Sequence, residues 1–411
     1  MRTEIQFGGD RIELEVEDDR LVADLSGPTG LDVDDLAARL AAALADPLDF
    51  PPLQDAVVPG DRVVLAVDPA LPEPSIILDA IANALRGRYG DDVHITALIA
   101  SALGTGAAAP AFQGPREVEV VRHDPEDRES IAYLASTAAG RRIYLNRLAV
   151  DADFLIAVGA FRHDPAVGTL GPSATLFPGL ADASARRDVA RAPRPNDAES
   201  ERVLFDEGDE VGGLIGAQFC LGVIEGSNGV ADVLAGLSES VSEQGLERLE
   251  AAWSRAVAAT AEVVIAGVGA PGRPGGLAEV ARGLTQAARL VRPGGKVVLL
   301  SRAEIEPGPA LDALARLDDP RAGARALRAF EKADDYPHAV AIAAAAAHAD
   351  VFLHAGLEDD LVEGLGMIPL RRPEQARAIA AAAASVATLS RAESLRVAVI
   401  EQSEPAARGA R

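Results

Sequence analysis

The chain has 411 residues, 48% of them hydrophobic and 25% charged, the make-up of a globular protein of two or three domains at the usual ~100–200 residues each. Its formal net charge of −24 repels phosphate backbones and anionic lipid, so neither a nucleic acid nor a membrane surface is expected as a partner, and no apolar run is long enough to span a bilayer. The opening residues, MRTEIQFGGD, lack the apolar core of a signal peptide, so a cytoplasmic location is expected.

In chain order, residues 3–7 and 11–16 alternate apolar and polar around Gly8-Gly9-Asp10, the pattern of a hairpin. Leucines at 36, 40 and 44 behind an Asp-rich first turn predict a helix over 32–45, closed by Asp46-Pro47. Residues 63–67 read as a buried strand that delivers Asp68-Pro69-Ala70-Leu71-Pro72 at its carboxyl end, with a helix to follow over 75–88. Further strands are expected at 94–101, 117–121 and 154–158. Recurrence of strand, loop and helix predicts a mainly parallel sheet covered on both faces. From 159 to 179 four glycines (Gly159, Gly168, Gly171, Gly179) and three prolines predict irregular backbone wrapped round a ligand, with Arg162-His163-Asp164 at its mouth. Residues 192–212, rich in Pro, Asp, Glu and Gly, read as an exposed connector. Strands at 218–224 and 229–235 and a helix at 238–259 close a first domain. A second pattern follows, with strands at 262–266, 296–300, 350–354 and 395–400 and helices at 276–291 and 373–386. The expectation is two α/β domains, 1–260 and 261–411, with mainly parallel sheets and an interdomain cleft between residues 68–74, 104–107, 123–125 and 162–179 on one side and 269–289 on the other. In such sheets ligands bind where strands end.

Residue usage narrows the chemistry. Lys296 and Lys332 are the sole lysines, so residues 1–295 offer no amine for a Schiff base or a lysine-linked cofactor. Cys220, the single cysteine, sits in an apolar strand pattern and reads as a buried, inert thiol. His123 and His163 each follow an arginine and precede Asp, just past a strand. A neighbouring carboxylate fixes an imidazole's tautomer and raises its basicity, which suits general base work or metal ligation, although His-Asp-Pro is also a good turn sequence. Gly267-Val268-Gly269-Ala270-Pro271-Gly272, after a strand and before a helix, matches the dinucleotide fingerprint, but no acidic residue marks the end of a second strand ~20 residues on.

Taken in order, several segments resemble the nickel-pincer lactate racemase family. They are Gly60–Asp68, Ile99–Thr105, His123-Asp124, Asn146-Arg147-Leu148, the strand from Phe154, the loop ending Phe177-Pro178-Gly179, and Gln286–Arg289 before Pro293-Gly294-Gly295. The resemblance implies racemisation of a 2-hydroxy acid by hydride transfer onto a nickel-bound pyridinium, with two histidines exchanging the hydroxyl proton. It places acid–base work at His163, Asp164 and His123, substrate contacts at Asp68, Gln286 and Arg289, and cofactor contacts at Gly104, Thr105, Gly171 and Gly179. The chain departs from the family where the chemistry is done. Leu71 stands where an arginine is expected, Gly104-Thr105-Gly106-Ala107 replaces a Gly-x-His-Arg, Asp164 takes the second histidine's place, and Ala174 takes that of the lysine carrying the nickel-pincer nucleotide. Covalent attachment of that cofactor is therefore not expected. Three readings follow: a racemase or epimerase with a degenerate site, a non-catalytic ligand-binding or regulatory paralogue that retains the cleft, a small carboxylate being one ligand it could take, and a nucleotide-dependent enzyme using the turn at 267–272. In the carboxylate reading Arg289, one helical turn from Gln286, is the anion's partner.

Overall fold

The computed structural model describes residues 1–102, 118–164, 167–192, 199–320 and 323–400. Among these residues the molecule is built on two main sheets. In the first, the strand order is Val230–Leu237, Phe219–Glu225, Phe154–Asp164, Arg62–Val67, His94–Ile99, Glu119–Arg122, and neighbours run parallel except for the antiparallel edge pair of Val230–Leu237 with Phe219–Glu225. In the second, Ile368–Pro369, Asp350–Gly356, Val291–Glu304, Ala261–Gly267, Val386–Leu389 and Leu21–Leu25 are all parallel. The mixed α/β class with mainly parallel sheets is as expected. Parallel strands need cover on both faces, and the central strands accordingly bury nearly every side chain: Val63 to Val67 and Val263 to Ala266 are all at 4% exposure or less.

Several local expectations give way to tertiary context. The strand expected at 154–158 runs on to Asp164, through the glycine-rich stretch expected to be irregular. Its extension is held because Gly159 to Phe161 pair in parallel with Gly222 to Ile224, after which Arg162 to Asp164 pair with Gly168–Leu170. Glycine here makes room rather than breaks the strand. The Phe161 ring lies where β-carbons on Gly171, Gly222 and Gly245 would fall, so three glycines accommodate one aromatic. The expected connector at 192–212 is largely the helix Val203–Ile215, whose Leu204, Phe205, Gly208, Val211 and Gly212 are buried, while Asp209 accepts from Ser173 and Ser242. The helix expected at 238–259 ends at Trp253, and Ser254–Val257 then pairs with Arg396–Val399, a small sheet apart from the main ones. Likewise the helix expected at 373–386 stops at Ala382, because Val386–Leu389 is needed in the second sheet between Ala261–Gly267 and Leu21–Leu25.

The N-terminal segment crosses over. The hairpin Arg2–Phe7 with Asp10–Glu15 forms as expected, but Ile5, Phe7, Ile12 and Leu14 pack on Val263, Ile265, Val298 and Leu300 of the second sheet, and Leu21–Leu25 is that sheet's edge strand. The division at residue 260 therefore omits the first 25 residues, which pack with the second sheet. Gly267 reflects this packing, since a side chain there would meet the Gln6 carbonyl.

Candidate active site

Both sheets aim the carboxyl ends of adjacent strands at one cavity of about 330 Å³. From the first sheet, Asp68 follows Arg62–Val67, Arg162 and Asp164 end Phe154–Asp164, and Glu225 ends Phe219–Glu225. From the second, Gly269 and Arg273 follow Ala261–Gly267, Arg391 and Glu393 follow Val386–Leu389, and Glu279 and Arg282 project from the helix Leu277–Leu290. Leu71, Phe161, Leu249 and Trp253 supply apolar wall.

The charged side chains form one network across the interdomain junction. Arg162 Nη1 donates to Asp68 Oδ2 at 2.5 Å, while Asp68 Oδ1 accepts from the Ala70 amide at 2.9 Å. Arg282 bridges Asp164, at 2.6 Å, and Glu279. Arg391 bridges Glu225 at 2.9 Å and Glu393 at 2.7 Å, and Arg273 reaches Glu225 at 3.2 Å. Burial alone would raise the Glu225 carboxyl, but Arg273, Arg391 and Arg162 together hold it down at about 2. Arg391 stands at φ +58°, a left-handed conformation unusual for a side-chain-bearing residue, and its guanidinium also donates to the Gly226 carbonyl at 3.0 Å. Such strain persists where surrounding bonds over-determine it.

His163 lies on the same strand as Arg162 and Asp164 but, by strand alternation, on the opposite face. It lines the cavity at 7% exposure, with Thr169 Oγ1 3.4 Å from Nδ1, Ser254 Oγ 3.4 Å from Nε2 and Glu250 Oε1 3.7 Å from Nε2. Burial lowers its pKa to about 4, with Glu250 opposing and Arg396 adding to the shift, so the imidazole is neutral near pH 7.

The remaining expected residues are spread out. Asp68, His163, Asp164 and Gly179 line the cavity; His123, Gln286, Arg289 and Gly171 are not among its wall residues, and Gly104 and Thr105 lie outside the described residues. His123 is locked into the scaffold. Its Nε2–H donates to the Ala181 carbonyl at 3.0 Å and its Nδ1 accepts from Asn146 Nδ2 at 3.1 Å, with burial lowering its pKa. Gln286 is buried too, but its Oε1 accepts from the Val397 amide at 3.0 Å. Arg289 is exposed on the same helix. Gly171 is extended, and a β-carbon there would come within 2.7 Å of Phe205 and 3.0 Å of Phe161, so its smallness serves packing. The Gly179 amide donates to the carbonyl of Ala174, which also lines the cavity, at 3.0 Å. At the glycine turn, Gly269 (φ +90°) donates its amide to Glu393 Oε1 at 3.2 Å, and the Gly276 amide at the start of the next helix donates to Glu279 Oε2 at 2.8 Å. Carboxylates thus occupy amides that a phosphate would need, which weighs against the dinucleotide reading.

Residue-by-residue reading missed Glu225, Arg273, Glu279, Arg282, Arg391 and Glu393. Glu225 and Arg391 each follow a buried strand, so the rule that ligands sit at strand ends would have found them. Arg282, between Ala281 and Gly283 on an amphipathic helix, carried no such signal.

The lactate racemase N-terminal domain model matches residues 7–189. A lactate racemase from Thermoanaerobacterium thermosaccharolyticum is 24% identical over 192 residues, 43% of this chain and 44% of that protein, so the sequence match spans under half the relative's length. The solved lactate racemase apoprotein from that organism superposes with a TM-score of 0.78 at 19% identity, covering 97% of this chain and 100% of that one. A Thermotoga maritima protein of known structure follows at 0.60 and 12% identity, covering 92% and 100%. The fold is that of the lactate racemase apoprotein, and residues 7–189 match the lactate racemase N-terminal domain.

Proposed function

We propose that the chain is a lactate-racemase-like protein with a degenerate active site, which keeps the interdomain cavity for binding a small molecule and does not interconvert 2-hydroxy acids by the two-histidine route. The observation that carries this reading is the Asp164–Arg282 ion pair. Asp164 stands where the resemblance puts an acid–base histidine, points into the cavity, and is held at 2.6 Å by a guanidinium. A carboxylate so paired is a poor proton acceptor. His163, one residue back, faces the other side, and its depressed pKa leaves it a weak base at neutral pH.

The donor set does not suit a nickel-pincer nucleotide. Its attachment position is Ala174, and neither lysine nor cysteine is among the described wall residues. Among the described residues no cluster of three His, Cys, Asp or Glu side chains is placed to hold a metal ion. No step is therefore drawn through that group. Leu71, buried in the wall, likewise offers nothing to clamp a substrate carboxylate.

Loss of one general acid–base partner typically costs ~10²–10⁴ in rate. The purified protein, supplied with nickel-pincer cofactor and D-lactate, is expected to form L-lactate no faster than the cofactor alone. Its intact denatured mass should equal the sequence mass. Turnover near that of a competent racemase, or an adduct mapping to peptides from 159–179, would overturn the proposal.

A further inference from the structure

We infer that the cavity takes a small primary amine with an apolar body, bound as its ammonium ion, rather than a carboxylate. The inference rests on the reading of the cavity as a ligand-binding site and names its ligand class. Five carboxylates (Asp68, Asp164, Glu225, Glu279, Glu393) and four guanidiniums (Arg162, Arg273, Arg282, Arg391) make up the charged wall among the described residues, one negative charge in excess. Each of the four guanidiniums already faces a carboxylate within the network: Arg162 faces Asp68, Arg273 faces Glu225, Arg282 faces Asp164 and Glu279, and Arg391 faces Glu225 and Glu393. An incoming carboxylate would find one unsatisfied donor among the described wall residues, the buried Arg282 Nε, but would have to join a wall that is already anionic. Like charges placed together are penalised most where water is excluded.

An ammonium ion meets the opposite situation. Glu393 is 6% exposed, and its Oε1 is taken by Arg391 and the Gly269 amide, whereas its Oε2 is buried with no hydrogen-bond partner. A buried, unsatisfied carboxylate oxygen calls for a donor, and a primary ammonium brings three together with the missing positive charge. The rest of the ligand is set by Leu71, Phe161, Leu249 and Trp253, which give the cavity apolar surface for a hydrocarbon or aryl body. At about 330 Å³ the space suits a molecule of roughly ten to fifteen heavy atoms.

The test compares two probes of like shape and opposite charge, 2-phenylethylammonium and 3-phenylpropionate, by titration calorimetry on the full chain at neutral pH. The ammonium ion is expected to bind at least about tenfold more tightly. Glu393→Gln, which keeps an oxygen for Arg391 and the Gly269 amide, should lose most of that preference. If that variant does not fold by circular dichroism, Asp68→Asn tests the same excess charge. Tighter binding of 3-phenylpropionate, equal affinities, or no heat from either probe up to about 10 mM overturns the inference. Lactate racemisation measured on the same preparation separates the two proposals. Amine preference together with racemisation sinks the degenerate-site reading alone, and carboxylate preference without racemisation sinks the ligand class alone.

Discussion

Replacing Arg282 with methionine tests whether the cavity network is the electrostatic joint between the two sheets. Methionine retains the unbranched stem, so the change removes charge and hydrogen bonds with little loss of volume. It leaves Asp164 and Glu279 facing each other without the cation that bridges them. Removing one partner of a buried ion pair costs ~3–5 kcal/mol, and the low side-chain exposures here, 15% for Arg282, 15% for Asp164 and 25% for Glu279, place the expected loss at the lower end of that range at neutral pH. The sign of its pH dependence also follows. Burial would raise the Glu279 carboxyl, but Arg282 and then the Gly276 amide outweigh it and hold it below the usual range. In the parent protein Glu279 therefore adds stability that is present above its unfolded pKa and lost as pH falls through the folded one. With the guanidinium gone, burial and the neighbouring Asp164 remain, so the folded pKa rises above the unfolded value and the penalty eases as acid neutralises the pair. Trp253, the single tryptophan, is buried in the cavity wall, and its fluorescence reports urea unfolding of this region directly. A loss under ~1 kcal/mol at about pH 7, the range of an exposed ion pair, would refute the network's role. So would a loss of the same size at about pH 5, since the penalty must shrink on acidification.

His163, with its folded pKa lowered to about 4, should take up its proton more readily when unfolded, so stability declines as pH drops from ~6.5 toward 4; His163→Gln should flatten that limb, and a resonance assigned to the His163 imidazole by its loss in that variant, titrating near 6.5 in the native protein, would end the idea. Burial pushes the Cys220 thiol up to about 12, so a thiol reagent should label it only on unfolding, and rapid labelling of native protein at mildly alkaline pH would contradict the structure. Gly171→Ala should destabilise by ~1–3 kcal/mol through overpacking against Phe205 and Phe161, measured as a lower urea midpoint, while amine binding per folded molecule stays unchanged. A stable Gly171→Ala protein with impaired binding would return that glycine to the site.

Much of the fold was legible because parallel strands buried on both faces announce themselves as short apolar runs, and those at 62–67, 94–99, 219–225 and 261–267 fall where the sequence puts them. Errors occur where a partner elsewhere in the chain decides. Nothing within residues 159–164 says strand; Gly222 to Ile224 do, some sixty residues on. Nothing within 21–25 says edge of the second sheet, because Leu21 to Leu25 are intermediate in burial or exposed and gain their place by pairing with Val386 to Leu389. The helix Val203–Ile215 was hidden for a related reason. Four acidic residues and three glycines break up its apolar residues, and the buried stripe of Leu204, Phe205, Gly208, Val211 and Gly212 includes two glycines that carry no hydropathy signal.

The cavity was legible in place but not in chemistry, and the reason is electrostatic. Sequence order put Asp68 and Asp164 at strand ends, and both line the cavity, yet the charge of a site is a sum over segments that meet only in the fold. Asp164 and Arg282 are 118 residues apart, and Arg391 and Glu225 are 166 apart. The three departures from the resembled family that fall on described residues, Leu71 for arginine, Asp164 for histidine and Ala174 for lysine, all line this cavity. Each removes a positive or titratable group or adds a negative one, so all three move the wall in the same direction. Arg282 answers the added carboxylate and shares itself with Glu279, and the net excess of one negative charge among the described wall residues is what remains. A site that had merely decayed would leave unpaired buried charges at a cost of several kcal/mol each. Here most charges have partners and two buried atoms of the described wall, Arg282 Nε and Glu393 Oε2, lack one, an arrangement that agrees with the ligand class proposed above.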